Sequence, residues 1–130
     1  MIPLGVTSKT ALDERVMKFL GEMNSNFGHF LMALFEFRND YYKKTYNKTG
    51  SLHDPCAVAY VINPEIFQSK EMFVGVETKS EFCYGRTVCD IYEKLKMKSN
   101  AIVGLDIDLE KFWTLVFESL KECNKNSTLN

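Results

Sequence analysis

The chain has 130 residues, 45% of them hydrophobic, which fits one domain with a modest core of its own. Its 16 basic and 17 acidic side chains leave a formal net charge of -1, with no basic stripe and no block of like charge, so neither nucleic acid nor an anionic membrane is an expected partner. No apolar run reaches the roughly 18 residues that span a bilayer, and the start MIPLGVTSKT lacks the regions of a signal peptide, so the expected chain is soluble and cytoplasmic.

In chain order, the alternation over residues 2–7 predicts the end of a sheet strand. Residues 13–20 carry Val16, Met17, Phe19 and Leu20 in a helical pattern that Gly21 can stop. Ser25 or Asn26 caps the next helix, where Phe27, Phe30, Leu31, Leu34, Phe35, Tyr41, Tyr42 and Tyr46 recur at three- and four-residue steps. Toward Gly50 the stripe changes from phenylalanine and leucine to tyrosine, so the far end presents rings with polar tips that can sit half in water.

Asp54 and Pro55 predict a helix start, with aspartate as cap and proline at the first helical position. Residues 56–62 are apolar on all sides, which predicts a buried helix ended by Asn63 and Pro64. From Met72 the period changes: residues 72–78 and 86–92 read as an antiparallel strand pair, and residues 101–105 as a third, more buried strand. Asp106 or Asp108 caps a last amphipathic helix through Phe112, Leu115, Val116 and Leu120, and the tail from Asn124 is expected to fray. The cysteines Cys56, Cys83, Cys89 and Cys123 have no C-x-x-C spacing, which predicts buried thiols in a reducing compartment and gives no zinc site with His29.

The stretch GSLHDPCAVAYVINP sets His53 and Asp54 in front of this apolar helix. A bare capped helix start accounts for the pair. It also has a chemical reading: the amides and partial positive charge of a helix N-terminus favour a carboxylate, and a partly buried carboxylate suits a hard cation. Histidine beside it is the side chain best suited to deliver a proton near neutral pH.

With Pro3-Leu4-Gly5-Val6-Thr7 before it, and Pro64-Glu65-Ile66-Phe67, Val76-Glu77, Gly85-Arg86-Thr87-Val88, Leu105-Asp106-Ile107-Asp108 and Phe112-Trp113 after it, L-H-D-P resembles the C-terminal part of the inosine-uridine preferring nucleoside hydrolase family. The match is collinear over nearly the whole chain. The resemblance implies hydrolysis of the N-glycosidic bond of ribonucleosides to base and ribose, as in purine salvage and nucleoside catabolism, with calcium in the site. It implies that His53 donates a proton to the leaving base, that Asp54 is a calcium ligand, and that Tyr41, Tyr42 and Tyr46 approach the base, Tyr41 being preferred. A homo-oligomer of the full-length form is a further implication.

The family's D-x-D-x-x-x-D-D cluster, which supplies most calcium ligands and the base that activates water, has no counterpart in the chain. Asp106-Ile107-Asp108 reads instead as a strand end and helix cap. The expectation is thus an α/β fold: the C-terminal portion of a nucleoside hydrolase-like fold, with helices, an antiparallel strand pair, one further strand and an incomplete sheet. Residues 1–130 would be a partial domain without its N-terminal calcium-binding part, inactive by itself, with apolar faces left open to association. The competing expectation is a small noncatalytic helix-rich interaction module.

Overall fold

The computed structural model of the chain describes residues 1–128; Leu129 and Asn130, in the tail expected to fray, lie outside the described residues. The segment expected as a strand end instead winds one helical turn, α1 (Leu4–Thr7). Extended Pro3 offers its carbonyl to the N–H groups of Val6 and Thr7 at 2.9 and 3.1 Å, which starts the turn, and of residues 1–7 only Met1 exchanges backbone bonds with the strand at 101–107.

The Asp13 carboxylate accepts the N–H of Val16 and opens α2 (Glu14–Glu22), which buries Val16 and Leu20. Gly21 does not stop this helix. The left-handed residue that ends the path is Asn24, at φ 43°, another residue that tolerates that region. Ser25 then caps α3 (Asn26–Tyr46), its hydroxyl accepting the N–H of Gly28 at 3.1 Å, and left-handed Asn47 closes it. At Gly28 the two helices touch backbone to side: a Cβ there would lie 2.9 Å from the Leu20 carbonyl oxygen and 3.0 Å from the Met23 Cβ.

The apolar helix α4 (Asp54–Ile62) is buried on one side only, through Cys56 and Ala59, contrary to the burial expected for it. Val58, Val61 and Ile62 face outward, Val61 at 82% exposure, because nothing in the described chain packs on that side. Between α4 and the last helix, α5 (Leu109–Lys125), lies an apolar groove of about 510 Å³ that reaches Phe35 of α3. Asp108 is the cap of α5, accepting the Lys111 N–H at 3.1 Å. The helix stays wound through Lys125, so fraying does not begin at Asn124.

The strands are β1 (Phe67–Met72), β2 (Val74–Val76), β3 (Thr87–Cys89) and β4 (Ala101–Ile107). They form two separate antiparallel pairs, β1 with β4 and β2 with β3. The β2–β3 pair is the expected hairpin, shortened to three residues a side. The expected third strand is β4, and its partner β1 was not anticipated. Phe67 stands opposite Ile107 and Met72 opposite Ala101, with a register shift between Gln68 and Ser69. The core sits where α2, α4, β1, β4 and α5 meet, around Val16, Cys56, Ile66, Phe67, Phe112 and Trp113. The Phe112 and Trp113 rings meet edge to face at 5.2 Å, and Phe117 joins Trp113 at 5.6 Å to Phe19 at 4.0 Å, tying α5 to α2. Burying a ring such as Phe112, fully enclosed here, is worth about 1.5–3 kcal/mol.

Candidate active site

His53 is held by a joint between two segments that are distant in sequence. Leu12 N–H donates to the Gly50 carbonyl at 2.8 Å and Leu52 N–H to the Thr10 carbonyl at 3.1 Å, so residues 10–12 and 50–52 run antiparallel. The buried Thr10 hydroxyl lies 2.8 Å from the Thr7 carbonyl and 2.7 Å from that of Leu52. From α3, Asn39 donates to the Leu12 carbonyl at 2.8 Å and accepts the Gly50 N–H at 2.9 Å, while Arg38 donates to the Ser51 carbonyl at 2.7 Å. The Ser51 hydroxyl reaches the Ser8 carbonyl at 3.1 Å. These bonds satisfy the backbone of a loop that would otherwise be free to move. Among the sequence signals, the collinear P-L-G-V-T piece reached Thr7; residues 8–12, Asn39 and Arg38 carried no signal.

The half-buried His53 ring lines an open groove of about 540 Å³, together with Leu4, Ser8, Tyr42, Tyr46 and Lys48. Its Nδ1 lies 2.8 Å from the Thr7 hydroxyl. Tyr42 and Tyr46, one helical turn apart, come within 5.4 Å of each other, and the Arg38 guanidinium sits 5.0 Å over the Tyr42 ring. The groove is therefore walled by aromatic faces with phenolic tips and has one imidazole beside them, a composition that accepts a flat, polar ring. Tyr41 packs on the outside of this pair, its ring edge-on to Tyr42 at 6.0 Å and to Tyr46 at 6.3 Å, and is not among the groove's lining residues.

Asp54 is not the cap expected of it. His53 already has helical backbone angles and its carbonyl takes the Cys56 N–H at 3.1 Å, so the turn winds from His53 and Asp54 becomes the first helical residue. The two neighbours part company: Asp54 borders the apolar groove between α4 and α5, whereas His53 lines the tyrosine groove. Asp106 bonds Lys9 at 2.7 Å, which holds its carboxyl below the usual carboxylate range. Among the described residues no three of His, Cys, Asp and Glu come together as a metal site. The expectation of buried thiols holds for Cys56 alone: Cys83 and Cys123 are exposed and Cys89 is half-buried, all of them free, because the hairpin and the end of α5 lie outside the core. Burial pushes the Cys56 thiol pKa up, against a smaller opposing effect of Thr10. No helix among the described residues is long and apolar enough to cross a membrane.

The family model described as inosine-uridine preferring nucleoside hydrolase matches residues 1–114. A probable ribonucleoside hydrolase of Dictyostelium discoideum is 35% identical over 130 residues, covering 95% of this chain and 38% of that protein. An inosine-uridine preferring nucleoside hydrolase of Leishmania major is 30% identical over 121 residues, covering 93% of this chain and 38% of its own length. The solved structure of a purine-preferring ribonucleoside hydrolase from Gardnerella vaginalis superposes with a TM-score of 0.83 at 25% identity, covering 98% of this chain and 40% of that one. The chain thus spans about two fifths of the length of the relatives it matches, and its helices and small antiparallel sheets are an incomplete α/β nucleoside hydrolase fold. By a match that takes in all but its last residues, the chain belongs to the inosine-uridine preferring nucleoside hydrolase family.

Proposed function

We propose that this chain is the C-terminal portion of a ribonucleoside hydrolase and forms the part of its active site that faces the leaving base. The observation that carries the reading is the meeting of His53 with Tyr42 and Tyr46 in one groove, with Nδ1 occupied by Thr7 and Nε2 left as the nitrogen available to a ligand. The substrate is a purine or pyrimidine ribonucleoside, and the products are the free base and ribose.

Cleavage of the N-glycosidic bond passes through a ribosyl cation-like transition state, in which the electron pair of the C1′–N bond returns to the base. A proton delivered to the base from the His53 imidazolium makes that return easier, and water adds to C1′ from the opposite face. Tyr42 and Tyr46 offer ring faces and hydroxyls to the base. Tyr41, outside the groove, acts by supporting those two rings. The group that takes the proton from water is not on this chain, so the segment alone is inactive.

Calcium, implied by the family, does not fit the donors of this chain. Asp54 supplies at most two of the six to eight oxygens the ion takes, and among the described residues it belongs to no group of three His, Cys, Asp or Glu side chains that could hold a metal ion. Asp54 could serve only as one ligand of a set completed elsewhere in the protein.

The test is a chimaera in which this chain replaces the matching segment of a full-length relative. There His53→Ala should depress turnover of purine nucleosides by roughly a hundredfold to ten-thousandfold, the usual contribution of a general acid. It should spare a nitrophenyl riboside, whose leaving group needs no proton. Equal losses on both substrates would remove the proton-donor role.

A further inference from the structure

Thr7 is not among the residues lining the tyrosine groove, yet it is only 4% exposed and its hydroxyl lies 2.8 Å from Nδ1 of His53. A hydroxyl both donates and accepts. Facing a neutral ring it can donate to the Nδ1 lone pair. Facing an imidazolium, or a ring whose remaining proton is on Nδ1, it accepts that N–H, and its own hydrogen has the Leu4 carbonyl 3.5 Å away as an acceptor.

The backbone beneath both residues is fixed independently of this bond. The Thr7 carbonyl takes the Thr10 N–H at 3.2 Å and the Thr10 hydroxyl at 2.8 Å, and the same hydroxyl reaches Leu52, the residue before His53. The backbones of Thr7 and of the residue before His53 are therefore held next to each other whether or not the two side chains bond.

We propose that Thr7 is the positioning residue of His53: it engages Nδ1 throughout proton transfer, so that Nε2 is the atom that gives up the proton. The inference rests on the reading of His53 as proton donor. As the C1′–N electron pair passes to the base, the base nitrogen takes the Nε2 proton, and the ring is left neutral with its proton on Nδ1, still donated to Thr7. The ring does not turn during the step. Without Thr7 the imidazole could rotate and offer either nitrogen.

The test starts with the 130-residue chain itself, with nitrogen NMR of the imidazoles at one fixed pH, exposed His29 serving as internal reference. His53 Nδ1 should differ from His29 Nδ1. Thr7→Val, nearly isosteric, should bring the His53 signal to the position of His29, and Thr7→Ser should leave it in place. An unmoved signal in a folded Thr7→Val chain, or a Thr7→Ser chain that behaves like Thr7→Val, overturns the proposal. Should Thr7→Val fail to fold, the parent spectrum decides, since coincident Nδ1 signals for the two histidines refute the bond. In the chimaera, Thr7→Val should lower kcat for purine nucleosides with KM little changed, by less than His53→Ala does, and should spare the nitrophenyl riboside. Failure of the proton-donor reading would show as equal losses for His53→Ala on both substrates. Failure of this proposal would show as full kcat in Thr7→Val where His53→Ala has lost it.

Discussion

Replacing Asn39 with alanine removes the acceptor of the Gly50 N–H and the donor to the Leu12 carbonyl in a single change. Gly50 is buried and Leu12 is 1% exposed, and among the described residues neither of the two orphaned groups has a second hydrogen-bond partner. Leaving a buried polar group unpaired costs about 1–3 kcal/mol. Asn39 is itself half-buried, so water reaches the gap in part, and the sum settles at about 2–4 kcal/mol. For a chain of this size that corresponds to a fall in Tm of about 8–16 °C. Urea unfolding followed by circular dichroism measures it, provided the m-value is unchanged. Asn39→Asp is the discriminating companion: its carboxylate can accept from Gly50 but opposes the Leu12 carbonyl with another acceptor. It should lose stability at neutral pH and regain part of it in mild acid, when a protonated oxygen can donate again, whereas Asn39→Ala should show no such recovery. A loss under about 0.5 kcal/mol for Asn39→Ala, the scatter of ordinary surface substitutions, would show that water already serves both groups and that Asn39 does not hold the loop.

Gly28→Ala should destabilise the chain by about 1–2 kcal/mol although alanine is the better helix former, because the new Cβ meets the Leu20 carbonyl. Gly21→Ala, whose Cβ would meet only the Met32 sulfur at 3.7 Å, should stabilise by up to about 1 kcal/mol; the opposite order in thermal melts would refute the close approach. Acid should weaken the fold: the Lys9 bond to Asp106, the Lys111 N–H on Asp108 and the Lys79 N–H on Glu77 all lower carboxyl pKa values. Their stabilisation is complete above the ordinary carboxylate value of about 4 and is lost as pH falls through the depressed values. Lys9→Ala should flatten the pH dependence of the urea midpoint, and an unchanged slope would discount the Asp106 pair. Calorimetric titration of the isolated chain with calcium should give no tight isotherm; submicromolar binding abolished by Asp54→Ala would mean that the chain holds a full ligand set around Asp54.

The sequence revealed elements in which one chain segment decides its own structure. Ser25 caps α3, Asp108 caps α5, and the hairpin at 74–89 pairs as its alternation requires. β1 escaped notice because its buried residues, Phe67 and Met72, stand at its two ends with polar residues between, so no period of two exists until β4 supplies the partner. α1 escaped for a similar reason, its short apolar alternation being overridden by the Pro3 carbonyl. At the site, His53 and the tyrosines were legible as residue types, but their sorting was not: which rings share a groove depends on the joint between residues 10–12 and 50–52, a contact across some forty residues. Asp54 reads as a cap in the sequence because aspartate is favoured both at the cap and in the first helical turn, and only the backbone places the cap at His53.

The length of α3 gives the Asn39 attachment a mechanical meaning. Gly28 lies eleven residues before that point and Tyr46 seven residues after it on one continuous helix. At 1.5 Å of rise per residue these arms are about 16 and 10 Å, so a tilt of about 4° about Asn39 swings the Gly28 end by about 1.1 Å and Tyr46 by about 0.7 Å in the opposite sense. The helix is then a lever with its fulcrum nearer the tyrosines. Disturbances where α3 meets α2 reach the rings reversed and reduced, while loss of the fulcrum lets the same rings drift without any change at the far end.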